Sequence, residues 1–434
     1  MTFSVSQRGW EEGQLPVGAS RRLGRRFGWL WASYAVSAYG TGLGFGAFAY
    51  IAIRVLGASA SQVSLLSAAG LAVGAVVAVP LGPWVEYRPK RPVMIGMDAA
   101  RFLAMASVPA AYWLGLLTFT QLVLVAVVVA AAKIAFRSAS GAFLKTLVPD
   151  ERLLTASSRF ESTTWSATIV GPVLGGAAIG LLGPVVTVTA DAVSYLLSAL
   201  GIAAIGGPEP APPAREGRAR FGDLAEGWRY LWGQPALRAL FLNVLAVNAL
   251  IMAPEPVLAF MMLGRLGFPA WQYGLAFAVP CVGGLLGSRL APRVVGRFGE
   301  RNVLLRLGAL RAVWPLGLVF VQPGVTGLLL VMVVELGLIL CVSVHNPVVA
   351  TYRLQQTDRG RLARVLSAWS VTSSATIAAF TALWGLLADL AGPRAALAAA
   401  GVLLLATPLL LPRRRQLAAA ASPGSAPALA ESAS

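Results

Sequence analysis

One histidine and two cysteines serve the whole 434-residue chain. Cys281 and Cys341 stand alone inside apolar runs, which excludes a disulfide framework and a cysteine metal site by spacing. His345 by itself supplies neither a histidine metal centre nor a catalytic triad, so no metal and no cofactor is expected. Acids are scarce as well, 18 Asp+Glu against 35 Lys+Arg. Charged residues reach only 12% of the chain, where a soluble protein holds about 25%. The phosphate-cradling pattern G-x-x-x-x-G-K-[ST] is missing, which excludes ATP hydrolysis by this chain. What remains is apolar: 57% of residues, with a mean hydropathy of +0.71. A formal charge of +17 would point to nucleic acid in a soluble protein. Here a dozen long apolar runs separate the basic residues, so the excess reads as membrane topology. The sequence excludes a soluble enzyme and a nucleic-acid partner, and describes a polytopic membrane protein.

A spanning helix needs about 20 mostly apolar residues, each rising about 1.5 Å through a core of about 30 Å. Twelve runs meet that length: 27–52, 62–85, 92–117, 120–147, 155–181, 184–206, 236–263, 270–291, 302–321, 325–350, 362–388 and 394–412. Turn chemistry separates them, at Gly57-Ala58-Ser59, Pro149-Asp150, Gly183-Pro184, Pro323-Gly324 and Gly392-Pro393. With both ends on the cytoplasmic side, cytoplasmic segments hold 25 basic residues and outer loops hold 3, Arg54, Arg265 and Arg394. One missed span would invert every later loop, so the ratio supports twelve spans with both termini inside, in the plasma membrane. The first 26 residues read as a retained cytoplasmic tail, and the Ala/Ser/Pro stretch from 413 to 434 as a disordered one.

The longest cytoplasmic connection, 207–235, divides the chain into bundles over 27–206 and 236–412. It begins as a Pro-rich linker and continues into an amphipathic helix with Phe221, Leu224, Trp228, Leu231 and Trp232 on one face, expected to lie on the membrane surface. The bundles resemble each other. Ser166-Ala167-Thr168-Ile169 recurs 208 residues later as Ser374-Ala375-Thr376-Ile377, Asp150 falls on Asp358, and Arg101 corresponds to Arg311. A parallel six-plus-six repeat places the substrate site at mid-membrane between the halves.

Two stretches carry a family resemblance. Gly82-Pro83-Trp84-Val85-Glu86-Tyr87-Arg88-Pro89-Lys90-Arg91, between spans 2 and 3, looks like the major facilitator signature G-x-x-x-D-R-x-G-R-R. It departs at Glu86, Tyr87 and Pro89. In span 5, Gly171-Pro172-Val173-Leu174-Gly175-Gly176 resembles the core of the antiporter motif, without its upstream glycine. Asp98 and Arg101, Asp191, the run Glu226 to Trp232, and Leu362 to Val365 are similar to the macrolide-efflux branch of drug exporters, which includes siderophore exporters. The resemblance implies an all-α fold of twelve transmembrane helices in two pseudo-symmetric six-helix bundles. It also implies a cytoplasmic gate drawn from Gly82, Glu86, Arg88, Arg91, Asp98, Arg101, Arg159 and Glu161, and proton-driven export.

Charges inside a membrane are costly, so each needs a partner, a wet cavity or a task. Glu335, Asp191 and Glu255 are the proton-coupling candidates, each also readable as half of a structural pair. Glu335 lies ten residues inside span 10 with no basic residue nearby in sequence. Glu255 stands between Pro254 and Pro256, which interrupt span 7. Asp191 shares a helical face with Tyr195. Lys133 and Arg137, one turn apart in span 4, attract an anionic substrate or pair with Asp191 or Glu161. His345 relays protons or serves as a satisfied hydrogen-bonding group. Tyr34, Tyr39 and Phe45 line a cavity or pack span 1. The expectation is a monomeric secondary transporter embedded in lipid, exchanging protons for a drug, antibiotic or siderophore-like molecule by alternating access. An importer of the same fold and a non-transporting scaffold or sensor are the rival readings.

Overall fold

In lipid every backbone N–H and C=O must be paired within the chain, so apolar runs of this length become helices. The computed structural model describes residues 23–209, 221–358 and 361–412, and no strand occurs among them. Spans 1 to 6 are Arg25–Val55, Ala60–Glu86, Lys90–Trp113, Phe119–Leu147, Asp150–Leu182 and Pro184–Ala203. Spans 7 to 12 are Pro235–Arg265, Ala270–Phe298, Glu300–Phe320, Val325–Gln355, Leu362–Ala391 and Pro393–Leu410. They form two six-helix bundles. Spans 5, 8 and 10 run several residues beyond their apolar cores, because polar residues such as Arg297 and Arg353 continue the helix into water. Residues 1–22 of the expected amino tail, the linker stretch 210–220 and the tail 413–434 lie outside the described residues.

The linker helix, Phe221–Gly233, packs sideways on the second bundle, which corrects the expectation of a helix lying on lipid. Leu231 is fully buried with Leu237, Leu240 and Trp369, and Trp232 is half exposed. Trp228 Nε1 donates to Thr372 Oγ1 at 2.8 Å, and Tyr230 Oη donates to the Gln356 carbonyl at 3.0 Å. Glu226 accepts from Arg364 Nη1 at 2.5 Å and lies 3.6 Å from Arg361 Nε. Polar partners on span 11 therefore hold a face that hydrophobicity alone would assign to the membrane. Leu231→Ala should cost about 2–5 kcal/mol, as deletion of a fully buried leucine does, and lower the thermal unfolding temperature of the detergent-purified chain.

Spans 1 and 7 are both broken, and in the same way. Span 1 is helical over Arg25–Leu43, turns at Gly44 to Gly46, and ends in a wide helical turn over Ile51–Val55. Span 7 is helical over Pro235–Met252, restarts at Glu255, and ends likewise over Phe260–Arg265. Each wide turn closes on a left-handed glycine, Gly57 at φ 63° and Gly267 at φ 69°. Each is followed by a matching bond, Ala58 N–H to the Ala52 carbonyl at 2.8 Å and Phe268 N–H to the Met262 carbonyl at 2.9 Å. This local duplication supports the six-plus-six repeat more firmly than the scattered residue matches do.

The bundles meet at the end remote from the linker. One apolar core there draws on both, with Ile51, Ile53 and Leu66 against Met262, Phe268 and Tyr273. Asp389 of span 11 accepts from Ser59 Oγ at 2.9 Å. At the linker end each bundle keeps its own core, Phe27, Met94 and Ile202 in the first, Phe241, Val348 and Val365 in the second. No core at that end joins the two among the described residues. The shared core therefore seals the space between the bundles at the far end, and among the described residues no such core closes the linker end, which we call the open end.

Candidate functional site

Proline has no N–H to give, so Pro254 and Pro256 leave the carbonyls of Leu250 and Met252 without their helical donors. The break places Glu255 at the edge of a small pocket walled by spans 7, 9, 10 and 12. The second carboxylate in that pocket is Glu335, so the structure brings together two of the three coupling candidates. On span 10, Leu329 and Val333 are exposed where the bundle meets lipid. At about 100° per residue, Glu335 projects from the opposite side of the helix, inward. Neither carboxylate has an ion pair within 4 Å among the described residues. Leu250, Leu258, Leu338 and Leu397 complete the walls; Glu255 is exposed and Glu335 half-buried, so the apolar surroundings bear more on Glu335.

Asp191, the third candidate, sits in the other bundle. It is buried against the break in span 1: a Cβ at Gly44 would come 2.8 Å from its Oδ2, and one at Gly40 3.2 Å from its Oδ1. Tyr195 does not line the cavity, as its shared face with Asp191 suggested. It is buried, hydrogen-bonded to Thr41 at 2.8 Å, and covered by the Arg101 guanidinium 4.5 Å from its ring. Arg101 also lies over Phe136 at 4.7 Å and pairs with Asp98, both members of the pair almost fully buried. This ion pair belongs to the core of the first bundle. Asp98→Asn strands a buried cation and should cost about 3–5 kcal/mol. The double variant Asp98→Asn/Arg101→Met should recover part of that loss in thermal unfolding.

Lys133 and Arg137 are solvent-exposed on span 4, on the side opposite the lipid-facing Leu124 and Val128. They face the space between the bundles, and neither makes an ion pair within 4 Å among the described residues. Tyr39 is exposed and bonded to Ser166 at 2.7 Å, and Tyr34 is bonded to Thr164 at 2.6 Å. Phe45 stacks on Tyr273 with ring centroids 5.8 Å apart, which places it in the far-end seal.

The residues assigned to a gate do not form one cluster. Gly82 and Glu86 lie on the last turns of span 2, and the side chain of Glu86 is outside the described set. The backbone N–H groups of Lys90 and Arg91, which open span 3, are capped by Glu209 of the linker. Arg91 donates to the Ile202 carbonyl at 3.2 Å and to Ala203, at the end of span 6, and Arg88 covers Trp84 at 4.5 Å. Arg159 lies near Phe27 and Trp31, while Glu161 accepts from Trp165 Nε1 at 3.0 Å. Arg91 thus caps the end of span 6, Arg88 and Arg159 lie by aromatic rings, and Glu209 is the carboxylate that carried no signal in the sequence.

His345, a cavity candidate by its place in span 10, is fully buried in the second bundle. Arg311 donates to its Nδ1 at 3.1 Å and to Asn243 Oδ1 at 2.7 Å, and Asn243 donates to the Thr407 carbonyl at 2.8 Å. A guanidinium only donates, so Nδ1 carries no proton and the ring is an acceptor here rather than a relay. Asn243 was missed because its partners come from spans 9 and 12.

The span 5 motif marks the tightest crossings. A Cβ at Gly171 would lie 2.6 Å from Gly42 Cα, and one at Gly176 2.5 Å from the Ala270 carbonyl oxygen. A Cβ at Gly175 would meet the Leu43 carbonyl, and one at Gly274 of span 8 the Pro172 carbonyl. Spans 1, 5 and 8 therefore touch backbone to backbone where the two bundles meet.

The comparisons with known proteins agree with this architecture. The family description "Major Facilitator Superfamily" matches residues 30–352. The chain is 30% identical over 353 residues to the "Multidrug efflux pump Tap" of Mycobacterium tuberculosis, covering 76% of this chain and 80% of that one. It is 29% identical to the protein of the same name from Mycolicibacterium fortuitum, covering 75% and 81%. Among solved structures, a bacterial homologue of the iron transporter ferroportin superposes with a TM-score of 0.71 at 17% identity, covering 90% of this chain and 99% of that one. The nucleoside transporter NupG gives 0.71 at 11% identity, covering 90% and 100%. A chain of this kind is a transporter of small molecules rather than an enzyme, multi-pass in its membrane. It belongs to the major facilitator superfamily.

Proposed function

We propose that the chain exports organic small molecules across the plasma membrane in exchange for protons, by alternating access. The observation that carries the reading is the pair of unpaired carboxylates, Glu255 and Glu335, in one pocket at the break of span 7. The excess of basic residues on the linker side supports a cytoplasmic position for both termini. The open end then faces the cytoplasm, as an exporter waiting to load would stand. Relatives called multidrug efflux pumps support the direction of transport. In the exchange, a proton entering from outside neutralises one carboxylate of the pair, lowers the charge penalty, and lets the emptied carrier return. Each charge moved is worth about 2.3 kcal/mol per 100 mV of membrane potential. We take the working unit to be a monomer.

Inverted vesicles with an acidic lumen test this reading. Ethidium, tetracycline and erythromycin, added one at a time, should accumulate in the lumen when they are transported and drive protons out. Downhill leakage of all three, indifferent to the pH gradient, would overturn it. Substrate-dependent accumulation in right-side-out vesicles would indicate an importer.

A further inference from the structure

The two bundles carry exposed or half-buried charges of opposite sign. Lys133 and Arg137 project from span 4 in the first bundle, and Glu255 and Glu335 gather on spans 7 and 10 in the second. No ion pair joins the two sets among the described residues. Spans 4 and 10 do not pack on each other, so their axes stand further apart than the 8–10 Å of packed helices. In depth the charges are nearly level. Lys133 lies 14 residues into span 4 and Glu335 ten residues into span 10, about 21 Å and 15 Å from the sealed end at 1.5 Å per residue.

From this arrangement we propose that the preferred substrate is a zwitterionic amphiphile, its acidic group held by Lys133 and Arg137 and its amine or iminium held by Glu255 and Glu335. The proposal rests on the transporter reading above and deepens it. A cation alone leaves the span 4 wall unmatched, and an anion alone leaves the carboxylates unmatched. A molecule carrying both charges, long enough to reach from span 4 to spans 7 and 10, satisfies both sets at once. It also ties one bundle to the other, which favours closure of the open end around it. Asp191 is the competing partner for Lys133, lying within electrostatic range of it. Its carboxylate, however, is turned into the span 1 break against Gly40 and Gly44. Leu250, Leu258 and Leu338 beside the carboxylates offer apolar surface to the hydrocarbon part of such a molecule.

Rhodamine B, its ethyl ester and fluorescein test the charge pattern on related ring systems: zwitterion, cation and anion. Fluorescence polarisation with the full detergent-purified chain should show rhodamine B binding about tenfold or more tighter than the ester, the worth of a charge-assisted contact. Fluorescein should bind more weakly than rhodamine B. Lys133→Gln/Arg137→Gln should bring the ratio of rhodamine B to ester close to one, and Glu255→Gln/Glu335→Gln should weaken both dyes. Equal affinity of rhodamine B and ester, a ratio that survives the span 4 double variant, or no binding of rhodamine B would overturn the proposal. Lys133→Arg/Arg137→Lys, which keeps both charges, should retain the preference and so separates charge from folding. Proton release from acid-loaded inverted vesicles is scored separately. Release evoked equally by ester and zwitterion keeps the exporter and removes the zwitterion. A dye preference without proton release does the reverse.

Discussion

Gly274→Ala should hold the far end of the molecule ajar and abolish most transport. The added Cβ would run into the carbonyl oxygen of Pro172, which is helix backbone and cannot turn aside as a side chain would. Opposite it, Gly176 meets Ala270 with the same lack of clearance, so spans 5 and 8 have no slack on either side. Overpacking of this kind costs about 1–3 kcal/mol. Placed on the sealed state alone, that cost shifts the equilibrium between sealed and opened forms by about 5- to 150-fold. The seal around Ile53, Met262 and Phe268 is built on this crossing and should loosen with it. Hydrogen exchange over 47–58 and 258–268 should accelerate in the variant, and vesicle uptake of a transported drug should fall by tenfold or more. Wild-type exchange in both segments together with wild-type uptake would show that the crossing yields without consequence. Gly180→Ala, on span 5 with open space around its Cα, is the control and should transport normally.

The spans were legible because lipid imposes one rule on every residue they contain: a run of about 20 apolar residues must pair its backbone internally. The break in span 7 was legible too, since Pro254 and Pro256 announce it chemically. The break in span 1 was less legible: Gly40, Gly42, Gly44 and Gly46 alternate through it, but the aromatic residues around them have the pattern of helix packing. Sequence spacing placed Asp191 and Tyr195 on one face of span 6. It could not say which way that face points, because rotation of a helix about its axis is set by the neighbours it packs against. The same limit applies to Asn243 and Glu209. Each is a lone polar residue in sequence, and its function is a contact made from another element: Arg311 of span 9 for one, the start of span 3 for the other. Glu335 was legible for the opposite reason. An acid deep in an apolar helix with no cation nearby stands out without any knowledge of its surroundings.

Glu335→Gln should uncouple transport from the pH gradient without emptying the site. Glutamine keeps the shape of the protonated acid and cannot release a proton, so the variant stays fixed in the neutral arm of the cycle. Exchange of labelled against unlabelled drug across the membrane needs no net proton movement and should persist. Accumulation in acid-loaded inverted vesicles should fall by tenfold or more and lose its dependence on lumen pH. Drug-evoked proton release should disappear. Glu255→Gln discriminates within the pair. Both carboxylates look into one pocket, so a proton shared between them would make either variant lose coupling. If Glu255→Gln alone abolishes coupling and Glu335→Gln retains full pH-driven accumulation, the proton resides at the span 7 break. If Asp191→Asn does so while both glutamate variants remain coupled, the proton resides in the first bundle and the pocket between spans 7 and 10 serves the substrate alone.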